Sequence, residues 1–185
     1  MTNFINFITI ARIFLAPIIL VFLIFGNYLA CVLLFFLAGL TDYFDGYFAR
    51  KYNAVSELGE ILDPIADKIL VVFMLIGLSV ELDSQLMALL SSLIIAREIG
   101  VAALRDYSAR NNLSERTKVT FLAKAKTSFQ LFTIGLYLLA LAISFNLLIV
   151  ISDIFLIVTT FITLYTGYQY ILNCLLYTSD AADEF

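Results

Sequence analysis

Long apolar stretches separated by short turns make up most of this chain. Six of them reach the length needed to cross a membrane, at about residues 8–26, 29–49, 59–80, 85–106, 119–144 and 147–172. A helix rises about 1.5 Å per residue, so roughly 20 apolar residues span a hydrocarbon layer of about 30 Å. The pattern therefore predicts an all-α integral membrane protein with six transmembrane helices. Residues 1–7 are expected to form a short interfacial segment before the first of them.

The composition agrees with this class and limits the chemistry. Hydrophobic residues make up 62% of the chain and charged residues only 14%, whereas a soluble domain carries about 25% charged residues. Histidine is absent, which excludes imidazole acid–base catalysis and histidine-ligated zinc. Any bound metal must be held by oxygen atoms, which favours Mg²⁺ or Mn²⁺.

The basic residues predict how the protein lies in the membrane. With six spans, the turns near residues 26–28, 81–84 and 145–146 share one side and contain no Lys or Arg. All eleven basic residues fall on or nearer the other side. By the positive-inside rule that side is cytoplasmic, with both termini inside. We therefore expect a multi-pass protein of the inner (cytoplasmic) membrane.

The C-terminal residues differ in character from the rest. Residues 174–184 read CLLYTSDAADE, which resembles the translation of the transposon-end adapter used to build sequencing libraries. We expect one native domain over residues 1–173 and a non-native tail over residues 174–185; the alternative is a genuine short polar tail. Its three acidic residues account for three of the four net negative charges, so the net charge indicates no partner.

Four aspartates stand out between the second and third apolar stretches: Asp42, Asp45, Asp63 and Asp67. On helices, each pair with spacing of three or four residues shares one face, and the two faces would meet across a helical hairpin. Four nearby carboxylates cannot all stay ionised without compensation. Two Mg²⁺-like ions would supply it and would suit the binding of a diphosphate. The alternative is a set of salt bridges to nearby Arg and Lys residues.

Small residues accompany these aspartates. Gly46, Ala49 and Gly59 lie within about one helical turn of them and would let a bulky group approach the backbone, although close helix packing is the alternative. Arg50 adds a cation suited to phosphate oxygens.

The combined pattern resembles a known family. D-x2-D-G-x2-A-R-x8-G-x3-D-x3-D runs without departure from Asp42 to Asp67, and it resembles the signature of the CDP-alcohol phosphatidyltransferase family. The resemblance implies six transmembrane helices, a homodimer and a polar cavity open to the cytoplasm. It also implies transfer of a substituted phosphoryl group from a CDP-linked alcohol to an acceptor hydroxyl, with release of CMP.

Further motifs resemble those of the members that act on CDP-diacylglycerol and sn-glycerol 3-phosphate and form phosphatidylglycerophosphate. They are Asn6-x2-Thr9-x2-Arg12, Leu62–Lys68, Ile95–Ile99 with Arg105, and Lys124-x-Lys126-Thr127. The partners implied are these two substrates, membrane lipids and a second copy of the chain, with no nucleic acid.

The resemblance also assigns roles. Asp42, Asp45 and Asp63 would bind a first Mg²⁺ or Mn²⁺ ion, and Asp63 would bridge to a second. Asp67 would complete the metal set and act as the general base toward the acceptor hydroxyl. The residues expected at the CDP-diacylglycerol site are Asn6, Thr9, Gly46, Ala49, Arg50, Ser56 and Gly59.

Glycerol 3-phosphate is a dianion and requires a basic pocket. The candidates on the fourth and fifth spans are Arg97, Arg105, Lys124 and Lys126, with Arg110, Arg116 and Lys118 as loop alternatives. Arg97 could instead pair with a motif acid, the two lysines could snorkel to the interface, and the loop residues could attract anionic lipid headgroups.

Two rival functions remain open. One is the same chemistry with another acceptor, as in cardiolipin, phosphatidylinositol-phosphate or phosphatidylserine synthesis. The other is a small cation transporter, in which intramembrane acids would bind the transported ion. The concentration of acids and bases in one half of the membrane argues against transport.

Overall fold

The computed structural model describes residues 2–51, 57–110 and 121–182, and within these ranges the chain forms six α-helices and no strand. They are α1 (Thr2–Ile24), α2 (Tyr28–Lys51), α3 (Glu57–Glu81), α4 (Gln85–Arg110), α5 (Phe121–Ala142) and α6 (Asn146–Ala182). Side chains are described except at residues 2–7, 43–51, 57–58, 60–61, 121–125, 173 and 175–182. The all-α class is confirmed for the described residues. Helix α1 runs unbroken from Thr2 into the first predicted span, and the interfacial location of the first residues stays a prediction.

Three tight turns connect the helices where the sequence predicted them. Each contains a residue with positive φ: Gly26 (70°), Asp83 (44°) and Ser144 (53°). Such a left-handed residue ends one helix before the next begins. The side chains of Asn27 and Ser84 accept hydrogen bonds from the backbone N–H three residues further on, which caps the helix that follows.

The helices form a closed ring in the order α1, α2, α5, α6, α4 and α3, with each contacting the next and α3 returning to α1. A further contact joins α3 to α5 across the ring. Helix α3 therefore has three neighbours among the described residues, and its inner face supplies much of the core. That face includes Leu70, Val71, Met74, Leu75 and Leu78, all of which are buried.

The surface and the interior have the polarity expected of a protein in lipid. Large apolar side chains such as Phe25, Phe36 and Phe161 are exposed, whereas Thr9, Arg12, Gln130, Thr133 and Thr163 are buried. So many exposed large apolar side chains are unusual on a monomeric soluble protein. In a bilayer the same surface would contact acyl chains, while interhelical polar contacts stabilise the interior.

Two stretches are long and apolar enough to cross a membrane by length and composition: Gln85–Arg110 and Asn146–Leu172. Three shorter apolar helical stretches are Ile8–Ile24, Tyr28–Asp42 and Lys126–Ala142. Charged positions interrupt the apolar stretch of α3, whereas the three shorter stretches are bounded by the described side chains, which begin at Ile8, stop at Asp42 and resume at Lys126. The membrane class is supported, and the count of six spans stays a prediction.

Candidate active site

The two aspartates of α3 lie on the buried side of that helix because they continue its core stripe. Asp63 and Asp67 are four residues apart, and Val71 and Met74 follow on the same face. Ala66 beside them is fully buried. The stripe changes from apolar to acidic toward the start of α3, so the carboxylates lie at one end of the core.

An arginine of α1 brings aspartates from two helices together. Nη1 of Arg12 lies 2.6 Å from Oδ1 of Asp42 on α2 and 3.3 Å from Oδ1 of Asp67 on α3. The Arg12 side chain is only 1% exposed. Asp42 and Asp67 therefore lie near one cation, but the predicted hairpin is wrong for the described residues: α2 and α3 do not pack against each other, and both contact α1 instead. The salt-bridge alternative is correct in part, since a buried arginine pairs with them.

A threonine of α1 contacts the third described aspartate. Thr9 is fully buried, and its Oγ1 donates to Oδ1 of Asp63 at 2.9 Å. This contact fixes the orientation of the carboxylate, as outer hydrogen bonds do around metal ligands. The assignment of Thr9 to the CDP-diacylglycerol site stays a prediction.

The described side chains provide the right type of ligand for a hard divalent cation without enclosing one. Carboxylate oxygens of Asp42, Asp63 and Asp67 suit Mg²⁺ or Mn²⁺. Among the described residues, however, no three acidic or other ligating side chains come close enough together to hold a metal ion. The side chain of Asp45 lies outside the described set. The donor chemistry fits the predicted metals, and the metal set itself stays a prediction.

Several other predicted site residues lie outside what the structure describes in detail. The backbone of Asn6 belongs to α1, that of Asp45, Gly46, Ala49 and Arg50 to α2, and that of Lys124 to α5, without described side chains. Ser56, Arg116 and Lys118 lie outside the described residues altogether. Gly59 is buried in the first turn of α3.

A cavity of about 320 Å³ lies between α3, α4 and α5 and joins the acids to the predicted basic pocket. Its polar lining comprises Asp63, Asp67 and Lys68 from α3, Arg97, Glu98 and Arg105 from α4, and Lys126, Thr127 and Gln130 from α5. Three of the four residues predicted to bind glycerol phosphate thus share one cavity with two of the motif aspartates.

Glu98 connects two of the basic residues in this cavity. Its Oε1 accepts hydrogen bonds from Nζ of Lys126 and, at 3.2 Å, from Nη1 of Arg97. Arg97 is 8% exposed and Lys126 is 9% exposed. The snorkelling alternative is therefore wrong for Lys126. Among the described side chains, the acidic partner of Arg97 is Glu98 rather than a motif aspartate. The cluster carries two cations and one anion, which leaves net positive charge for an anionic ligand.

Helix α6 contacts both arginines, which the sequence interpretation missed. Thr166 accepts a hydrogen bond from Arg97, the backbone at Gly167 lies against the Arg97 stem, and the ring of Tyr170 lies beside the Arg105 guanidinium. A signal was present in the sequence. Ser152, Thr159, Thr163 and Thr166 recur at spacings of three, four and seven residues, and all four are buried. Such a stripe on an apolar helix marks a face that packs against polar neighbours.

Comparison with known proteins agrees with the geometry. The sequence model of the CDP-alcohol phosphatidyltransferase family matches residues 2–176. A protein of Rickettsia typhi is 40% identical over 181 residues, which cover 96% of this chain and 99% of that protein. A protein of Rickettsia bellii is 40% identical, with coverage of 93% and 95%, and one of Haemophilus influenzae is 36% identical, with coverage of 70% and 71%. All three are named CDP-diacylglycerol–glycerol-3-phosphate 3-phosphatidyltransferase. The chain therefore belongs to the CDP-alcohol phosphatidyltransferase family.

Proposed function

We propose that this protein transfers the phosphatidyl group from CDP-diacylglycerol to sn-glycerol 3-phosphate, giving phosphatidylglycerophosphate and CMP. The observation that carries the proposal is the cavity between α3, α4 and α5. It contains Asp63 and Asp67 on one wall and Arg97, Arg105 and Lys126 on the others. A phosphoryl-transfer site for an anionic acceptor needs both groups, and relatives of nearly the same length bear the name of this reaction.

Asp42, Asp45, Asp63 and Asp67 are the proposed ligands of two Mg²⁺ or Mn²⁺ ions. When bound, these ions would supply charge neutralisation for the diphosphate and for the departing CMP. Before binding, Arg12 keeps the carboxylates of Asp42 and Asp67 together despite their mutual repulsion. Because no three of the described ligating side chains are close enough together to hold a metal ion, the carboxylates would have to move closer together when a cation binds.

Asp67 is the proposed general base. It would accept the proton of the acceptor hydroxyl as the new bond from oxygen to the β-phosphorus forms and the bond to the CMP oxygen breaks. A carboxylate is a weak base, so most of the rate enhancement would come from positioning the two substrates and from charge stabilisation. The position of Asp67 on the cavity wall supports this role, because an acceptor held in the cavity lies beside it.

The donor and the acceptor would occupy different parts of the site. Residues proposed to hold the CDP part are Asn6, Thr9, Gly46, Ala49, Arg50, Ser56 and Gly59. Residues proposed to hold the phosphate of glycerol 3-phosphate are Arg97, Arg105, Lys124 and Lys126. A charge-assisted hydrogen bond contributes about 1.5–3 kcal/mol, so each such cation would change the affinity for the acceptor by roughly 10- to 100-fold.

The proposed setting is the inner membrane, with six spans, both termini and the cavity on the cytoplasmic side, and two copies forming a homodimer. Residues 1–173 would be the native catalytic domain. The acyl chains of CDP-diacylglycerol would stay in the bilayer while its head reaches the aspartates. Exposed apolar side chains around the bundle support contact with lipid.

An acceptor panel tests the proposal. Membranes that contain the protein would receive labelled CDP-diacylglycerol with glycerol 3-phosphate, myo-inositol phosphate, serine or phosphatidylglycerol, with and without EDTA. We expect a phospholipid product and CMP only with glycerol 3-phosphate, and none with EDTA. Product from another acceptor would identify a different synthase, and the absence of CMP release with every acceptor would leave the transporter as the better assignment.

A further inference from the structure

We propose that Thr166, Gly167 and Tyr170 on α6 are positioning residues that hold Arg97 and Arg105 for the phosphate of the acceptor. We call these three residues the α6 seat. The inference rests on the proposed function, because it assigns the two arginines to the acceptor. It concerns a helix in which the sequence motifs identify no functional residue.

Thr166 fixes one end of the Arg97 guanidinium. Nη2 of Arg97 donates to Oγ1 of Thr166 at 2.9 Å. The Thr166 hydroxyl lies 2.9 Å from the carbonyl oxygen of Ile162 and 3.0 Å from that of Thr163, so its own hydrogen points along α6. The oxygen lone pairs are therefore left to accept from the arginine. Thr166 is buried, so water does not compete strongly for this contact.

Gly167 provides the space in which the Arg97 stem lies. A Cβ atom added at this position would lie 2.9 Å from both Cγ and Nε of Arg97 and 3.4 Å from its Cδ. Distances under 3.0 Å are not tolerated, so one group would have to move. A single flexible side chain moves more easily than two packed helices. An alanine at this position should therefore displace Arg97 and leave the bundle intact.

The guanidinium of Arg97 is held on three sides as a result. Nη2 is bonded to Thr166, Nη1 to Glu98, and Nε faces Gly167, where it is buried without a hydrogen-bond partner among the described residues. A buried N–H without a partner is unfavourable. An Arg97 side chain that bears this cost is consistent with a guanidinium whose position is set by the ligand it binds. Each Nη atom has a second N–H, which remains available for phosphate oxygens.

Tyr170 acts on the second arginine, one helical turn after Thr166. Cζ of Arg105 lies 5.7 Å from the centre of the Tyr170 ring, within the range of a cation–π interaction. Arg105 is otherwise exposed, so the ring restricts where its guanidinium can lie. One face of α6 thus contacts both cavity arginines. Restricting their rotamers before the ligand arrives lowers the entropic cost of binding it.

Kinetics of Thr166 and Gly167 variants test the α6 seat. We expect Thr166→Val and Gly167→Ala to raise KM for glycerol 3-phosphate about tenfold, the effect of weakening one charge-assisted hydrogen bond. The kcat value and KM for CDP-diacylglycerol should stay within about twofold. Thr166→Ser keeps the hydroxyl and should restore the wild-type KM. Gly100→Ala is the matched glycine control, because a Cβ there meets no atom within 4 Å.

Tyr170 has its own pair of variants. Tyr170→Phe keeps the aromatic ring and should behave as wild type, whereas Tyr170→Leu should raise KM for glycerol 3-phosphate about threefold, in line with an exposed cation–π contact. Equal KM values for the two variants would remove Tyr170 from the seat.

Binding of inorganic phosphate separates this inference from the proposed function. Phosphate should raise the melting temperature of the wild type and of Thr166→Ser, and much less that of Thr166→Val and Gly167→Ala. If the wild type shows this shift but has no turnover with glycerol 3-phosphate, the proposed function fails and the seat stands. If all variants respond equally to phosphate, or if they lose only thermal stability, the residues are structural and the inference is overturned.

Discussion

Nη1 of Arg12 on α1 lies 2.6 Å from Oδ1 of Asp42 on α2, and its side chain is almost fully buried. The same nitrogen lies 3.3 Å from Oδ1 of Asp67 on α3. One cation thus joins three helices at the point where two acidic side chains would otherwise repel each other. The contact therefore has a structural role.

Replacing Arg12 should therefore destabilise the metal-free protein. Arg12→Met keeps an apolar stem but leaves two carboxylates facing each other, and we expect a loss of about 1–3 kcal/mol in the free energy of unfolding. The value is below that of a fully buried pair because both aspartates are partly exposed. The measurement is thermal unfolding of the purified protein in detergent with EDTA.

An exposed ion pair provides the control for this change. Nη2 of Arg110 lies 2.8 Å from Oδ2 of Asp106, with side chains 76% and 63% exposed. Arg110→Met should alter stability by about 0.5 kcal/mol or less, as is usual for solvent-exposed pairs. Equal melting temperatures for the two arginine variants would contradict a special role for Arg12.

The hydrogen bond from Thr9 to Asp63 predicts a change in metal dependence. Thr9→Val removes the donor with little change in volume, so the Asp63 carboxylate loses its orientation. Loss of such an outer contact typically lowers metal affinity by about 10- to 100-fold. We expect half-maximal CMP release to require about tenfold more Mg²⁺. Thr9→Ser keeps the donor and should need nearly the wild-type concentration; the same shift in both variants would point to packing instead.

Asp67→Asn tests the proposed base. The amide has nearly the same shape but cannot accept the acceptor proton, and loss of a general base lowers rates by about 10²–10⁴-fold. Binding of CDP-diacylglycerol should remain measurable, for example by its effect on melting temperature. Asp106→Asn, at an exposed position on α4, should retain normal turnover. Turnover near the wild-type level in Asp67→Asn would assign the base to another group.

The length of apolar stretches was sufficient to place the helices, because a bilayer fixes how many residues a span needs. It was less informative about helix ends. The fifth span was predicted at 119–144, whereas α5 ends at Ala142, with the positive φ of Ser144 in the turn that follows. The sixth was predicted to end at 172, whereas α6 continues to Ala182, since hydropathy marks where lipid contact ends and not where helical hydrogen bonding ends. The boundary of the native domain at residue 173 stays a prediction.

The spacing of the aspartates predicted their shared face, since residues four apart on α3 must lie on one side. Spacing could not predict contacts between distant helices. Arg12 meets Asp67 from 55 positions away, and Arg97 meets Thr166 from 69. In an apolar bundle, hydrophobicity is nearly uniform around each helix, so the sequence does not reveal how each helix is rotated.

Asp153 on α6 is a second example of a contact between helices that sequence spacing could not predict. The sequence offered no role for it, and the structure places its Oδ1 2.6 Å from the hydroxyl of Tyr137, which is fully buried on α5. A tyrosine and an aspartate 16 positions apart give no recognisable motif. Their contact depends on the rotation of α5 against α6, and it satisfies a polar group that would be costly to leave unpaired in an apolar core.

A pH-dependent contact joins α2 and α3 at the turns near residues 26–28 and 81–84. The Tyr28 hydroxyl donates to Oε1 of Glu81 at 2.5 Å, and this hydrogen bond, with smaller effects of burial and of the Glu81 charge, raises the pKa of Tyr28 above its usual value of 10.0. The neutral phenol is the form that donates. The stabilisation is therefore fully present below pH 10 and is lost as the pH rises through the raised pKa.

Ultraviolet titration of phenolate absorbance would measure this shift, with Tyr28→Phe identifying the contribution of Tyr28. Glu81→Gln removes the charged acceptor and should move the titration of Tyr28 down toward its usual value. Unchanged titration in Glu81→Gln would mean that the contact does not persist in solution.

The pairing of Glu98 with Lys126 predicts strong energetic coupling between α4 and α5. Each single change, Glu98→Gln or Lys126→Met, leaves a charge of its partner in a site that is about nine-tenths buried, which is more costly than removing both. The double variant should therefore lose less free energy of unfolding than the two single variants lose together. The difference, the coupling energy, should be about 1–3 kcal/mol. The measurement is thermal unfolding of the wild type, both single variants and the double variant.

The same double-mutant cycle on the exposed pair of Asp106 and Arg110 is the control and should give a coupling energy of about 0.5 kcal/mol or less.

Arg97 also contacts Glu98, so Glu98→Gln should lower the affinity for glycerol 3-phosphate. The two cations of the cluster would then repel each other and move apart. Lys126→Met should lower it too, by direct loss of a phosphate contact. Additive stability effects at Glu98 and Lys126 would show that Glu98 does not hold the cations in place, and the basic pocket would then have to be organised by α6 alone.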